Sequence, residues 1–219
     1  MKAIHLKAAA ALLAAALAAC TPLFSADEGK TENPSEVGET LLGDVVADAM
    51  RAASGADAAF INAGSLGAYA EPGKITPENL RVYVPFENEP VVTLKLTGGE
   101  LLAALERSVS LLPRRFSGFL QVSGIGFTCD LNEAPGGRVA AATIRGKPIA
   151  PDAEYTVAAT GFLAGGGGGY ATLRRKREHV KEIAPLGETV LKHADAQKSK
   201  KTTGRIVIIE REAGEGSGA

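Results

Sequence analysis

Histidine and cysteine are scarce in this 219-residue chain, and each shortage excludes a class of chemistry. Histidine occurs three times. A hydrolytic two-metal site needs clustered Asp, His and Asn ligands that hold the ions about 4 Å apart. His179 and His193 stand 14 residues apart, with no carboxylate–histidine motif around either. No such site is recognisable, no metal or cofactor is called for, and both histidines read as surface helix residues. There is no Gly-x-Ser-x-Gly elbow. There is no Walker loop either, because the run Gly165–Gly169 lacks the Lys-Ser/Thr ending that grips phosphate and metal. Nor is there a cationic excess: 24 basic residues face 25 acidic ones, which excludes a nucleic-acid binder as the default.

Of the two cysteines, Cys20 follows a distinctive leader. Lys2 and Lys7 make a positive start, and residues 8–19 are an unbroken Ala/Leu run. That run is shorter than the roughly twenty residues a membrane-crossing helix needs and fits the apolar core of a signal peptide. It ends Leu17-Ala18-Ala19-Cys20, which resembles a bacterial lipobox. Residues 1–19 are therefore expected to be removed, with Cys20 lipidated. The protein is then exported and held to a bacterial membrane, facing the periplasm or the cell exterior. Several acyl chains anchor stably, since each buried methylene adds about 0.8 kcal/mol. Without Lys2 and Lys7 the balance is 22 against 25, a formal charge of −3. Cys129 then has no partner, so no disulfide is expected; its alternating surroundings read as a small buried strand residue.

Residues 20–34 are polar with two prolines and read as a tether; 211–219 read as a flexible tail. The domain is expected over 35–210. Ser35 can cap a helix running to about Ser54, stopped by Gly55. Ala58–Asn62 reads as a short buried strand. Thr76-Pro77-Glu78 looks like a helix start. Val91–Leu96 alternates as a strand, and Thr97-Gly98-Gly99-Glu100 is a capping box opening a helix to about Ser110. Residues 119–131 and 138–144 read as two strands joined at Pro135-Gly136-Gly137. Tyr155–Thr160 is another strand, a helix is expected near 187–195, and 204–209 closes as a strand. Strands and helices mix without a βαβ rhythm, which predicts an α+β fold with a mixed sheet and packed helices.

Several segments together resemble one family, the C-terminal, substrate-recognising domain of 5′-nucleotidases and related periplasmic nucleotide hydrolases. Leu42 to Arg51 resembles the family's LGNLIADAMR helix, and Ile61 to Gly67 stands where it has a strand and NGGGIR. Gly73 to Leu80, with Val84-Pro85-Phe86-Glu87-Asn88, resembles GxIT…L…LPFGN. Leu96 to Leu102 is similar to LTGxEL, Leu120 to Gly124 to LQVSG, and Phe162 to Tyr170 to FLAxGGDGF. Gly204-Arg205-Ile206 is similar to the closing strand. Order and rough spacing hold over about residues 39–209.

The resemblance implies that Phe86 and Phe162 sandwich a nucleobase, with Asn62 helping to orient the nucleoside; on the residues alone, two core phenylalanines and a turn asparagine remain open. The rings are expected to be partly exposed and about 7 Å apart, since a base needs about 3.5 Å on each face. Gly64, Gly166 and Gly167 are expected to bring backbone close to the ligand. Two departures stand out: the NGGGIR arginine aligns with Gly67, and the FLAxGGDGF aspartate with Gly168. The basic runs 174–177 and 198–201 are candidate phosphate contacts, with solvated loops as the alternative. The metallophosphatase domain that carries the family's metal ions is not recognisable, so activity alone is not expected. Three functions follow: a membrane-tethered receptor for nucleoside-like ligands, the recognition half of a hydrolase acting with a separate metallophosphatase, or a degenerate scaffold.

Overall fold

Alternation along the strands decides which way each element faces. In the computed structural model, which describes residues 32–174, 181–193 and 204–210, β1 (Ala58–Asn62), β2 (Pro90–Thr97), β3 (Leu120–Ser123), β7 (Glu154–Thr160) and β8 (Lys181–Pro185) form one sheet in the order β3-β1-β7-β2-β8. A second sheet, β6-β5-β4-β9, holds β4 (Ile125–Asp130), β5 (Val139–Ile144), β6 (Lys147–Pro148) and β9 (Ile206–Ile209). The pairs β1–β7 and β4–β9 are parallel and the others antiparallel. The fold is α+β, as expected.

The first sheet is the middle layer. On one face, Ala59, Ile61 and Ala158 pack with Leu42, Val46 and Met50 of α1 (Leu41–Ser54). Leu186 and Val190, from the helix Leu186–His193, join them. On the other face, Ala58, Phe60 and Val157 pack with Leu101 and Leu105 of the helix Gly98–Val109, and with Ile125, Phe127 and Cys129 of the second sheet. This is the two-residue period of a strand buried on both sides. Burying one such large side chain contributes about 1.5–3 kcal/mol. Arg205, just before β9, ties the end of the chain to α1: it pairs with Asp48 at 2.7 Å and donates to the Val122 carbonyl at 2.9 Å.

Several boundaries differ from expectation for local reasons. Ser35 does not cap α1. It is buried in a 3-10 turn, Pro34–Glu36, and shares a 2.8 Å hydrogen bond with Thr40, which is the cap that accepts from Gly43 N–H. Gly55, at φ +67°, stops the helix as predicted. Thr76-Pro77-Glu78 opens only a turn, because Asn79 accepts from Thr76 N–H and donates to the Lys74 carbonyl. The helix that follows, α2, spans only Leu80–Tyr83. Residues 119–131 are not one strand. Gly124 sits at φ +75° with a Cβ position 2.3 Å from the Asp57 carbonyl, so the chain kinks there and passes from one sheet to the other. The capping box at Thr97 and Glu100 is present as predicted and starts α3 (Gly98–Val109). The leader, Cys20, residues 20–31 of the tether, the tail, His179 and the basic runs beyond Arg174 lie outside the described residues. No described helix is long and apolar enough to cross a membrane.

Candidate functional site

Two turns at the ends of neighbouring inner strands of the middle sheet, before β2 and after β7, carry the two phenylalanines. Pro85 and Phe86 follow α2 and Val84. Glu89 N–H donates to the Phe86 carbonyl at 3.0 Å, closing the turn before β2. Backbone N–H groups of Leu186 and Gly187 donate to the Glu89 and Glu87 carbonyls, both at 2.8 Å, so the turn is docked on the start of the helix Leu186–His193. Phe86 stays 58% exposed.

Phe162 lies in the single helical turn α4 (Gly161–Ala164) that ends β7. Thr160 caps it, accepting from Leu163 N–H at 3.3 Å. The carboxylate of Glu89 accepts from Phe162 N–H. Gly161 allows this approach: a Cβ there would lie 2.9 Å from the Pro90 ring. Phe162 is 48% exposed.

Between the turns lies a cavity of about 380 Å³, and both rings line it. Its other walls are Asn62, Gly64, Ser65, Glu89 and Ser117. Asn62 ends β1 and is buried; its amide donates to the Ser117 carbonyl at 3.2 Å and its carbonyl accepts from the Ser65 hydroxyl at 2.9 Å. It therefore shapes the wall as well as facing the space. Gly64 N–H donates to the Ser117 carbonyl at 2.7 Å, and a Cβ on Gly64 would crowd the Ser117 side chain at 3.0 Å.

Gly166 and Gly167 stand one layer back and do not line the cavity. Gly166, at φ +87°, backs onto the Arg174 side chain, and Gly167 underlies the Phe162 ring, whose Cε2 and Cζ lie 2.5 Å from its Cβ position. The glycine loop is thus a support for the ring, because only a residue without a side chain lets the ring sit so close. It is anchored by Arg107, which donates to the Gly168 carbonyl at 3.2 and 3.0 Å and lies 4.4 Å from the Phe116 ring centroid. Tyr170, buried, donates to the Gly118 carbonyl at 2.6 Å, coupling the loop to the Ser117 wall. Burial pushes the Tyr170 hydroxyl's pKa well up, so it remains a donor. Gly67 has no room for the arginine that aligns there: its Cβ position is 2.0 Å from the Val82 carbonyl oxygen.

Glu89, Ser65 and Ser117 were not singled out from sequence. Ser65 lies inside one of the family-like segments and Glu89 immediately follows another, so adjacency was an available signal. Ser117 carries none, being brought in by the loop after α3. Two hollows of about 520 and 550 Å³ lie elsewhere, and neither is lined by a phenylalanine. Asn88, next to the Phe86 turn, faces the first of them. Among the described residues no group of three His, Cys, Asp or Glu side chains is placed to hold a metal ion.

The family model described as the 5′-nucleotidase C-terminal domain matches residues 19–175. The chain belongs to that family. As a 5′-nucleotidase C-terminal domain it is 34% identical over 181 residues to the trifunctional nucleotide phosphoesterase YfkN of Bacillus subtilis, covering 77% of this chain and 12% of YfkN. It is 35% identical over 134 residues to an apyrase of Tabanus yao, covering 56% of this chain and 24% of the apyrase. The chain thus spans a quarter or less of these relatives. A 5′-nucleotidase precursor from Thermus thermophilus superposes with a TM-score of 0.71 at 28% identity, over 81% of this chain and 37% of that one. The NAD nucleotidase of Haemophilus influenzae shares the fold, with a TM-score of 0.65 at 19% identity, over 77% of this chain and 33% of that one.

Proposed function

We propose that this domain binds a nucleoside or nucleotide-like ligand by stacking its base between Phe86 and Phe162, without hydrolysing it alone. The carrying observation is that two phenylalanines from different turns stay half-exposed and line one cavity. Exposed rings at two loop ends, held by a Glu89 bridge and a glycine support, are costly to arrange for packing and useful for stacking. A base fills the slot when the ring faces stand about 7 Å apart, twice the van der Waals contact distance of roughly 3.5 Å. Asn62 and Gly64 form the floor, while Gly166 and Gly167 act through the Phe162 ring. An open cavity between the rings counts against a filled, degenerate pocket. Export and a lipid on Cys20 complete the proposal and put the site outside the cytoplasm.

A second reading has the domain supply substrate recognition to a separate metallophosphatase. It is favoured by the activities that name the relatives, a phosphoesterase and an apyrase, of which this chain spans only a fraction. Calorimetric titration of the full chain with adenosine tests the first reading. Phe86→Ala and Phe162→Ala should each weaken binding by roughly 1–3 kcal/mol, the usual worth of one base–aromatic stack. No saturable binding of any nucleoside or base at millimolar concentration, or binding untouched by both variants, defeats it. Phosphate released from AMP only after a metallophosphatase is added would favour the second reading; robust release by the chain alone would defeat both.

A further inference from the structure

The wall of the cavity carries a charge that stacking does not use. Among the described residues that line it, Glu89 is the only ionisable one. One of its carboxylate oxygens accepts from Phe162 N–H; the other has no hydrogen-bond partner among the described residues. Two of the neighbouring donors are engaged with the wall itself. The Ser65 hydroxyl donates to the Asn62 carbonyl, and the Asn62 amide donates to the Ser117 carbonyl. Beside the neutral Ser117 hydroxyl, what the wall offers a ligand is acceptor oxygen and its one charge, which is negative. A phosphate group needs donors and positive charge; a base edge carrying N–H groups needs an acceptor.

From this we infer that Glu89 is the specificity-determining residue of the cavity, selecting a planar heterocycle that presents an N–H donor and carries no phosphate. This rests on the nucleoside-binding reading and narrows it to the unphosphorylated, amino-bearing class. The same carboxylate also sets the position of Phe162 through its backbone N–H, so recognition and ring placement share one side chain. The two roles separate in Glu89→Gln, which keeps a carbonyl oxygen for Phe162 N–H and removes the charge.

The size of the preference follows from Coulomb's law. With the carboxylate against the amino group of adenine, a 5′-phosphate near −2 stands about 10 Å or more away, and in largely aqueous dielectric it is disfavoured roughly three- to fourfold. Loss of the N–H donor to a charged acceptor costs about tenfold. The test is calorimetric titration of the full chain with adenosine, AMP and purine riboside, which is adenosine without its amino group. Wild type should prefer adenosine to AMP roughly three- to fourfold at low salt, and the preference should shrink as salt screens the carboxylate. Glu89→Gln should bring adenosine and AMP toward equal affinity and lose the discrimination against purine riboside. Wild type binding AMP as tightly as adenosine, or a ratio that ignores both salt and Glu89→Gln, overturns the inference while leaving the nucleoside site standing. The salt titration needs no variant, so it holds even if Glu89→Gln folds poorly. If none of the three ligands binds wild type, the nucleoside reading itself fails, and this inference with it.

Discussion

Gly167→Ala adds one methyl group behind the Phe162 ring, and the three atoms nearest that methyl all belong to the ring. Its Cβ would fall 2.5 Å from Cε2 and Cζ and 2.6 Å from Cδ2 of that ring. Non-bonded carbons rest at about 3.5–4.0 Å, so the ring edge has to move by about 1 Å. Gly167 is not among the glycines with positive φ, unlike Gly166, Gly168 and Gly169, so alanine brings no backbone strain there. The methyl therefore acts first on the ring. Because the ring is 48% exposed, it can swing into water, and folding stability should hold within about 0.5 kcal/mol. Adenosine affinity should fall by much of one stack, roughly 1–3 kcal/mol. Titration calorimetry and a thermal melt on the same sample read the two quantities. Gly165→Ala is the control in the same loop: its Cβ position lies 3.2 Å from the Gly161 carbonyl and away from the ring, and its φ of −75° suits alanine. On a Phe162→Ala background, Gly167→Ala should cost no further affinity, the non-additivity expected of contacting residues. Wild-type affinity in Gly167→Ala, or an equal loss in the absence of the ring, would refute the support role assigned to the loop.

Three further outcomes are expected. Burial pushes the Cys129 thiol up to about 11, so a thiol reagent at pH 8 should label it slowly in the folded protein and quickly once unfolded; fast native labelling would contradict its burial. Burial alone would raise the Asp57 carboxyl, but Thr156, through its N–H and hydroxyl, and then Arg145 together hold it below the ordinary value of 3.8. Its contribution is then fully present above about pH 4 and lost as pH falls through the lowered value. The melting-temperature gap between wild type and Asp57→Asn should accordingly close in that acid range. Cys20→Ser should abolish metabolic labelling by a palmitate analogue and block maturation, and label retained in the variant would remove the lipobox assignment.

Local signals reached the elements more readily than their ends. The capping box at Thr97 and Glu100 and the Gly55 stop were legible because each satisfies backbone groups within its own turn. Ser35 and Thr76 misled because a hydroxyl before an apolar run looks like a cap whether or not the next turn continues. Asn79 and Thr40 decided those cases through bonds to particular neighbours. Gly124 was hidden inside an apolar stretch, since a kink between sheets needs only one positive φ and leaves the pattern on either side intact.

By itself the sequence determined the family, the mixed α+β class and the two phenylalanines, because ordered motifs and strand alternation are local properties that survive without coordinates. Tertiary structure alone decided what those rings share. It brought Ser117 across from the loop after α3, turned Glu89 so that its carboxylate meets Phe162 N–H, and set Gly166 and Gly167 behind the ring instead of on the cavity wall. A glycine records only that a side chain is not tolerated; which neighbour forbids it depends on atoms distant in the chain, and those meet only when the sheet is assembled.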